Sequence, residues 1–439
     1  MKTRRIYTLL LALILLLSAT HAEAESAEEQ VLVFKTPFFE PDDDEYILAE
    51  EFNRTHPGKR IIVEELPDDE RRLATEIMSG EADYIFNGAY LDPFKYSSSG
   101  QFYDLYEWMD ADPDFHREDY YENIITSMEF DGHLYSLPAG FTFAPSVVYL
   151  NGTIAEALGV SYQLLDTITP SEILDLYEAA KAQGLMAEDT PLVFNDATAP
   201  GLFLAISAEY ASHVDFEART TSFSNPDFIA LLERTKQAYT ERTIEEGWGF
   251  SSSGDFSGAV TRQQTASLIK GELTGLRRDG AWESGLDAMP DGLMGPLVLQ
   301  TDSRETSWIT VAAYMVPKSC SNPELAWEFI KFCVEPLDEE KGETVNTIDK
   351  TILGMGFPLS RKNLALYAKK YGTFGSSDFD ASLAKLEERI GETCKSHYYI
   401  QGIEALIMPI AAQYFDYNTI TAEECAKQMD ERAYLYLNE

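Results

Sequence analysis

Cysteine is scarce in this chain: four in 439 residues, Cys320, Cys333, Cys394 and Cys425, all in the last third. None forms a C-x-x-C pair and none sits near a histidine cluster, which removes the usual signatures of structural zinc, iron–sulfur or dithiol redox chemistry. Cys320 precedes and Cys333 ends an apolar segment that reads as a helix of about 12 residues. At about 1.5 Å per residue that separates them by about 18 Å, too far for a disulfide. Cys394 with Cys425 is compatible with antiparallel helices, and four buried free thiols are equally compatible. Positive charge is also in short supply, with 34 Lys and Arg against 74 Asp and Glu and a formal net charge of −40. A field of that sign repels phosphate backbones and anionic membrane surfaces, so nucleic acid is excluded as a partner. Beyond the first two dozen residues there is no apolar run of the roughly 20 residues that a spanning helix needs. A G-x-S-x-G elbow, an H-E-x-x-H motif and a phosphate-binding glycine loop are all missing. Asp110, Asp112 and Asp114 lack the glycine and glutamate that would complete a calcium loop. No catalytic residue, metal ligand or cofactor site is therefore assigned, and the expectation is a protein that is not an enzyme.

Residues 1 to 24 have the layout of an export signal. Lys2, Arg4 and Arg5 precede the apolar run Leu9 to Leu17, and Ala22-Glu23-Ala24 supplies an A-x-A cleavage site. Cleavage after Ala24 takes the formal charge from −40 to −42, since three positive residues and Glu23 leave together. Residues 25–30 then form an acidic tether. The length and a hydrophobic content of 45% are enough for two cores. The expected product is an exported, soluble monomer, periplasmic or held at the cell surface.

The mature chain opens with a strand over Val31 to Thr36, an amphipathic helix over Glu45 to Arg54 stopped by His56-Pro57-Gly58, and a strand over Lys59 to Leu66. A helix over Arg71 to Met78 and a strand over Ala82 to Phe86 follow. Strand-helix-strand-helix-strand predicts a parallel sheet covered by helices, whose ligands meet the loops at the carboxyl ends of strands. From Phe130 to Gly159 the pattern is that of two strands joined without a turn. Asp131-Gly132 turns the chain, His133 to Leu137 alternates, Pro138 ends that strand, and Val147 to Leu150 runs into the helix-capping sequence Asn151-Gly152-Thr153. These residues fit either a passage from one sheet to another or an ordinary loop within one sheet. Helices are predicted over Ser171 to Gln183, over Pro226 to Arg242 and from Pro323, with strands over Pro191 to Asn195, Gly271 to Leu276 and Ile309 to Val316. Phe250 to Ser257 reads as a Ser/Gly-rich loop.

Taken together, Leu73 to Asp83, Phe130 to Leu150, Val316-Pro317-Lys318 with Asn322 to Phe332, and Gly356 to Arg361 resemble the family 1 extracellular solute-binding proteins of bacterial ABC transporters. The resemblance spans nearly all of the mature chain. It implies an α/β, two-lobed periplasmic-binding-protein-like fold of type II with the ligand in a cleft between lobes. Hinge crossings would lie at Pro138 to Phe143, near Thr306 to Trp308 and near Met355 to Pro358. Lobe 1 would then comprise 31–138 and 309–354, and lobe 2 would comprise 139–308 and 355–439. The implied partners are a small solute, foremost an oligosaccharide, and the membrane permease of an ABC importer. A polyamine or other cationic ligand, and more remotely a glycoside-acting enzyme, are the alternatives. Relatives in single-membrane bacteria carry a lipid-modified cysteine at the mature N-terminus, whereas the first cysteine here is Cys320.

Sugar rings stack on aromatic faces while their hydroxyls need amide, carboxylate or guanidinium partners. The candidate ligand residues are Phe38 and Phe39 after the first strand, Asn87 and Tyr90 after the third, Thr142 in the first crossing, and Trp282, Trp308, Arg361 and Tyr398. Each residue type serves equally well in a core or a helix cap.

Overall fold

The computed structural model describes residues 29–67, 70–89, 96–97, 99–143, 147–186, 192, 200–206, 208–239, 274–277, 293–337, 357–371, 379–396 and 400–438. The chain begins β1 (Gln30–Thr36), α1 (Asp44–Thr55), β2 (Lys59–Glu65), α2 (Glu70–Ser79), β3 (Ile85–Asn87). β1 pairs in parallel with β2 from Gln30↔Lys59 to Thr36↔Glu65, and on its other side with β3. Parallel neighbours need a crossover, and the two amphipathic helices supply it. Helix α1 buries Leu48, Ala49 and Phe52, places Asp44 in its first turn and Arg54 in its last, and so complements its dipole at both ends. It stops where predicted, because Gly58 takes φ +89°.

The chain continues through α3 (Leu105–Ala111), α4 (Glu122–Thr126), β4 (Leu137–Phe143), β5 (Val147–Asn151), α5 (Gly152–Ala157), β6 (Thr167–Ile168) and α6 (Pro170–Ala182). Then come α7 (Pro200–Ile206), α8 (Glu209–Ser212), β7 (Val214–Asp215), β8 (Thr220–Thr221), α9 (Pro226–Tyr239), β9 (Thr274–Arg277), β10 (Leu293–Leu299) and β11 (Thr306–Met315). The last third holds α10 (Pro323–Val334), β12 (Phe357–Pro358), α11 (Arg361–Tyr371), α12 (Phe379–Gly391), β13 (Thr393–Ser396), α13 (Gln401–Phe415) and α14 (Ala422–Asn438). The expected strand over Pro191 to Asn195 and the loop over Phe250 to Ser257 fall, except for Leu192, outside the described residues.

Two sheets organise the molecule. One has the order β12-β4-β11-β3-β1-β2 with β13 joined to β11, and the other is β6-β10-β5-β9. β4 belongs to the first sheet and β5 to the second, so the chain changes sheet between Phe143 and Val147. It passes back between β10 and β11, over residues 300–305. After β13 it leaves the first sheet again, and α13 and α14 pack with α7 and α9.

The three segments predicted to cross are themselves strands of the first sheet and lie side by side. Phe141 pairs with Phe357 across β4 and β12, and Phe143 with Trp308 across β4 and β11. The stretches 139–143, 306–308 and 357–358, allotted to lobe 2 from sequence, thus hydrogen-bond in the first sheet, as does β13. Pro138 does not end a strand but sits inside β4, opposite Ala313 and next to a register shift at which β4 carries the extra residue, Ala139. A bulge lets a residue without an N–H stand in a strand interior. Residues 133–136, predicted as strand, contain instead an isolated bridge between Phe130 and His133.

The apolar core is continuous from Leu32 to Leu437 and runs through the crossing strands. There Phe141 meets Trp308 edge-on at 6.0 Å, and Phe357 packs against both Phe141 and Phe143 at 5.8 and 5.7 Å. On the far side of the first sheet Phe329 of α10 packs on Phe34 and Phe52 at 5.4 Å each. Of the cysteines, Cys320, Cys333 and Cys425 are free thiols, so the pair Cys394–Cys425 does not form.

Candidate functional site

The carboxyl ends of β1 and β3 carry the loops that the sequence leads one to expect at a ligand site. β1 ends at Thr36, which is wholly buried, and its Oγ1 accepts the backbone N–H of Phe38 at 3.0 Å. Phe38 and Phe39 follow, both half-buried. β3 ends at Asn87, also wholly buried. Its Oδ1 accepts the N–H groups of Ala89 at 3.0 Å and Ala313 at 3.1 Å, and its Nδ2 donates to Glu45 Oε1 at 3.2 Å. The N–H of Gly88 reaches Ala313 O at 2.7 Å. The amide of Asn87 therefore locks its own loop to β11.

Glu45 was not singled out from sequence, yet it sits at the meeting point of these elements. It is 1% exposed; Thr36 Oγ1 donates to its Oε2, and the Tyr314 phenol lies beside it. Burial pushes its carboxyl up to about 8, against the opposing pull of the hydrogen bonds from Thr36 and Asn87. The same burial raises the Tyr314 phenol and the Cys333 thiol well above their ordinary ranges, with the Glu45 charge adding to both. In the sequence Glu45 is one more acidic residue in a helix's first turn, which is usually a solvated position.

The other candidates are dispersed. Trp308 is wholly buried, with its Nε1 donating to Ser127 Oγ at 2.8 Å. Arg361 opens α11, donates from Nε to Tyr120 O at 3.1 Å, and lays its guanidinium 4.4 Å from the centre of the Tyr121 ring. Thr142 stands in β4 opposite Ile309. Tyr90, Trp282 and Tyr398 lie outside the described residues.

The return passage between sheets is firmly held. Asp302 takes the N–H and hydroxyl of Ser171 at 2.9 and 2.5 Å at the start of α6, and its own N–H reaches Glu209 Oε2 at 2.9 Å. Arg304 adopts φ +64° and pairs with Glu172 at 2.6 Å. Glu209 is 3% exposed and faces His213 at 3.4 Å. Three bonds at one turn justify a strained non-glycine residue beside it. Among the described residues no group of His, Cys, Asp or Glu could hold a metal ion, and no helix is long and apolar enough to cross a membrane.

Residues 41–336 match the family described as "Bacterial extracellular solute-binding protein", and the chain belongs to that family. A search of curated proteins found no match. Among solved structures the chain is similar to an ABC substrate-binding protein from Listeria monocytogenes in complex with cycloalternan, at 16% identity and TM-score 0.61, over 93% of this chain and 99% of that one. It is similar to the GacH receptor of Streptomyces glaucescens, solved unliganded and with acarbose and a homologue of it, at 13% identity and TM-score 0.57, over 93% and 98%. A solute-binding protein of Agrobacterium radiobacter K84 in complex with ribitol shares 14% identity at TM-score 0.59, over 93% and 99%. At these identities the likeness fixes the fold, which is the two-lobed type II arrangement expected from sequence.

Proposed function

We infer that this protein captures a small polyhydroxylated solute, foremost an oligosaccharide, between its two lobes and delivers it to the permease of an ABC importer, without covalent chemistry. The observation that carries the reading is the double change of sheet at neighbouring places, between Phe143 and Val147 and between Leu299 and Thr306, in a member of a solute-binding family. Such links allow two rigid bodies to close on a ligand. The carbohydrate preference is supported by relatives of the same fold bound to cycloalternan, acarbose and ribitol, and by the aromatic pair Phe38 and Phe39 at the carboxyl end of β1. Export with cleavage after Ala24 and a monomeric mature chain belong to the same proposal.

Thermal-shift screening of the mature protein tests it, with maltotriose, a cyclic glucan, ribitol, spermidine and a peptide pool as probes. A ligand at a hundredfold its Kd stabilises the native state by about 2.7 kcal/mol, which moves the midpoint by several degrees. A shift with spermidine and none with any carbohydrate or polyol overturns the carbohydrate reading. Glycoside turnover abolished by a single carboxylate substitution overturns the non-enzymatic one.

A further inference from the structure

Five elements converge on one buried carboxyl. Thr36 comes from the end of β1, Asn87 from the end of β3, Tyr314 from β11 and Cys333 from α10, while Glu45 itself lies in the first turn of α1. Each contact of Glu45 with a loop goes through one intermediate. Thr36, which donates to Oε2, holds the N–H of Phe38 on the same oxygen atom. Asn87, which donates to Oε1, holds the N–H groups of Ala89 and Ala313. The start of the β1 loop and the start of the β3 loop are therefore both within two hydrogen bonds of a single side chain.

We propose that Glu45 is a positioning residue of the solute site: one buried carboxyl joins the two loops that the first lobe presents to its solute, and charging that carboxyl loosens both together. The proposal rests on the reading of those loops as ligand loops.

Among the described residues no Lys or Arg pairs with Glu45, and the ionisable groups around it are Asp44 on its own helix, Tyr314 on β11 and Cys333 on α10. None of these can carry positive charge. A carboxylate in that place has two hydrogen-bond donors, Thr36 and Asn87, but no counter-ion among the described residues, and burying an unpaired charge costs several kcal/mol. The neutral acid is the form the fold accepts, consistent with a carboxyl raised to about 8. When it does ionise, the cheapest relief is to admit water, and the nearest irregular backbone is the pair of loops that start at Thr36 and Asn87. Glutamine keeps the shape and the neutrality: its Oε1 accepts from Asn87 while its Nε2 donates to Thr36 Oγ1, which still accepts from Phe38.

Hydrogen exchange of the ligand-free mature protein tests this, read by mass spectrometry between pH 6 and pH 9 and corrected for intrinsic rates. Peptides over 34–40 and 86–90 report the loops, and a peptide over α9 serves as a control in the second lobe. In the wild type, protection at Phe38 and Ala89 falls about tenfold from pH 7 to pH 9, since a carboxyl that titrates at about 8 goes from about a tenth charged to about nine tenths charged over that span. In Glu45→Gln it stays level, and α9 is level in both. A flat wild-type profile, or an equal fall in Glu45→Gln, overturns the proposal. Calorimetric titration with maltotriose and ribitol at pH 7 keeps the two readings apart. Loop loosening that responds to Glu45 supports the positioning role even when neither probe binds, a result that sinks the carbohydrate reading alone. Binding accompanied by pH-independent exchange sinks the positioning role alone.

Discussion

Trp308 is the sharpest test of how the crossing strands are built, because its residue type fits a sugar platform while its surroundings are those of a core. The indole is fully enclosed, edge-on to Phe141 at 6.0 Å, and its N–H is satisfied by Ser127 Oγ. Ser127 also donates to Ile124 O at 2.8 Å, so its hydroxyl ties α4 to β11. Trp308→Ala removes the ring and leaves a cavity in the sheet that bears the passages, a change that costs roughly 3–5 kcal/mol. Ser127→Ala strips the acceptor from a buried donor, at roughly 1–3 kcal/mol. Trp308→Phe keeps most of the packing and leaves Ser127 its bond to Ile124, so its loss is the smallest, about 1–2 kcal/mol. Urea unfolding followed by far-UV circular dichroism measures all three, and the double variant Ser127→Ala/Trp308→Phe is expected to cost less than the two singles added together, since both break the same bond. A Trp308→Ala protein within about 1 kcal/mol of wild type in stability, but deficient in solute binding, refutes the reasoning and returns the indole to the cleft.

Glu45 is neutral in the folded protein up to about pH 8 and ionises near 4.5 once unfolded, so it contributes stability below pH 4.5 that drains away as pH rises to 8. The wild type is expected to lose roughly 3 kcal/mol from pH 5 to pH 7 through this group, at about 1.4 kcal/mol per unit. Glu45→Gln lacks that part of the slope, and parallel stability–pH curves for the two proteins contradict the assignment. Asp302→Ala frees the N–H and hydroxyl of Ser171 and is expected to cost roughly 1–3 kcal/mol in chemical denaturation; a loss under about 0.5 kcal/mol means that the return passage is held by something else. Burial pushes the Cys320 thiol up and the Cys425 thiol up to about 12, so neither reacts with an aromatic disulfide reagent until denaturant is added. Rapid labelling of either cysteine in the native protein contradicts that.

The opening βαβαβ unit was legible almost to the residue in its first four elements, since its strands are short apolar runs, its helices have one apolar stripe, and His56-Pro57-Gly58 is a strong stop, whereas the third strand, expected over Ala82 to Phe86, is Ile85–Asn87. The cap of α5 was equally readable: Asn151 Oδ1 accepts the N–H groups of Thr153 and Ile154 at 3.1 and 3.2 Å. The switch of sheet after β4 was visible as a pattern but not resolved by it, because a strand does not announce its partner. Pro138 misled for the same reason, since the bulge at Ala139 that accommodates it exists only in the pairing with β11, a strand distant in sequence. Asn87 and Trp308 show the limit for the site. Both stand at strand ends, where composition alone favours a ligand contact, and both spend their polar atoms inside the protein. Glu45 was invisible because its burial is made by Thr36, Asn87, Tyr314 and Cys333, residues that no local window brings together.

The pairing of β4 with β11 has a mechanical corollary. Both passages spring from neighbouring strands stitched by their backbone ladder and by Thr310 Oγ1, which donates to Gly140 O at 2.6 Å. Two tethers fixed to each other at their roots do not swing separately, any more than two screws in one hinge leaf do. Twisting of one body against the other must flex both strands in step, which narrows the permitted movement toward rotation about a single line. Under the closure proposed above, a solute caught at the mouth would have one route to enclosure, and the chain few half-closed postures in which to waste its grip.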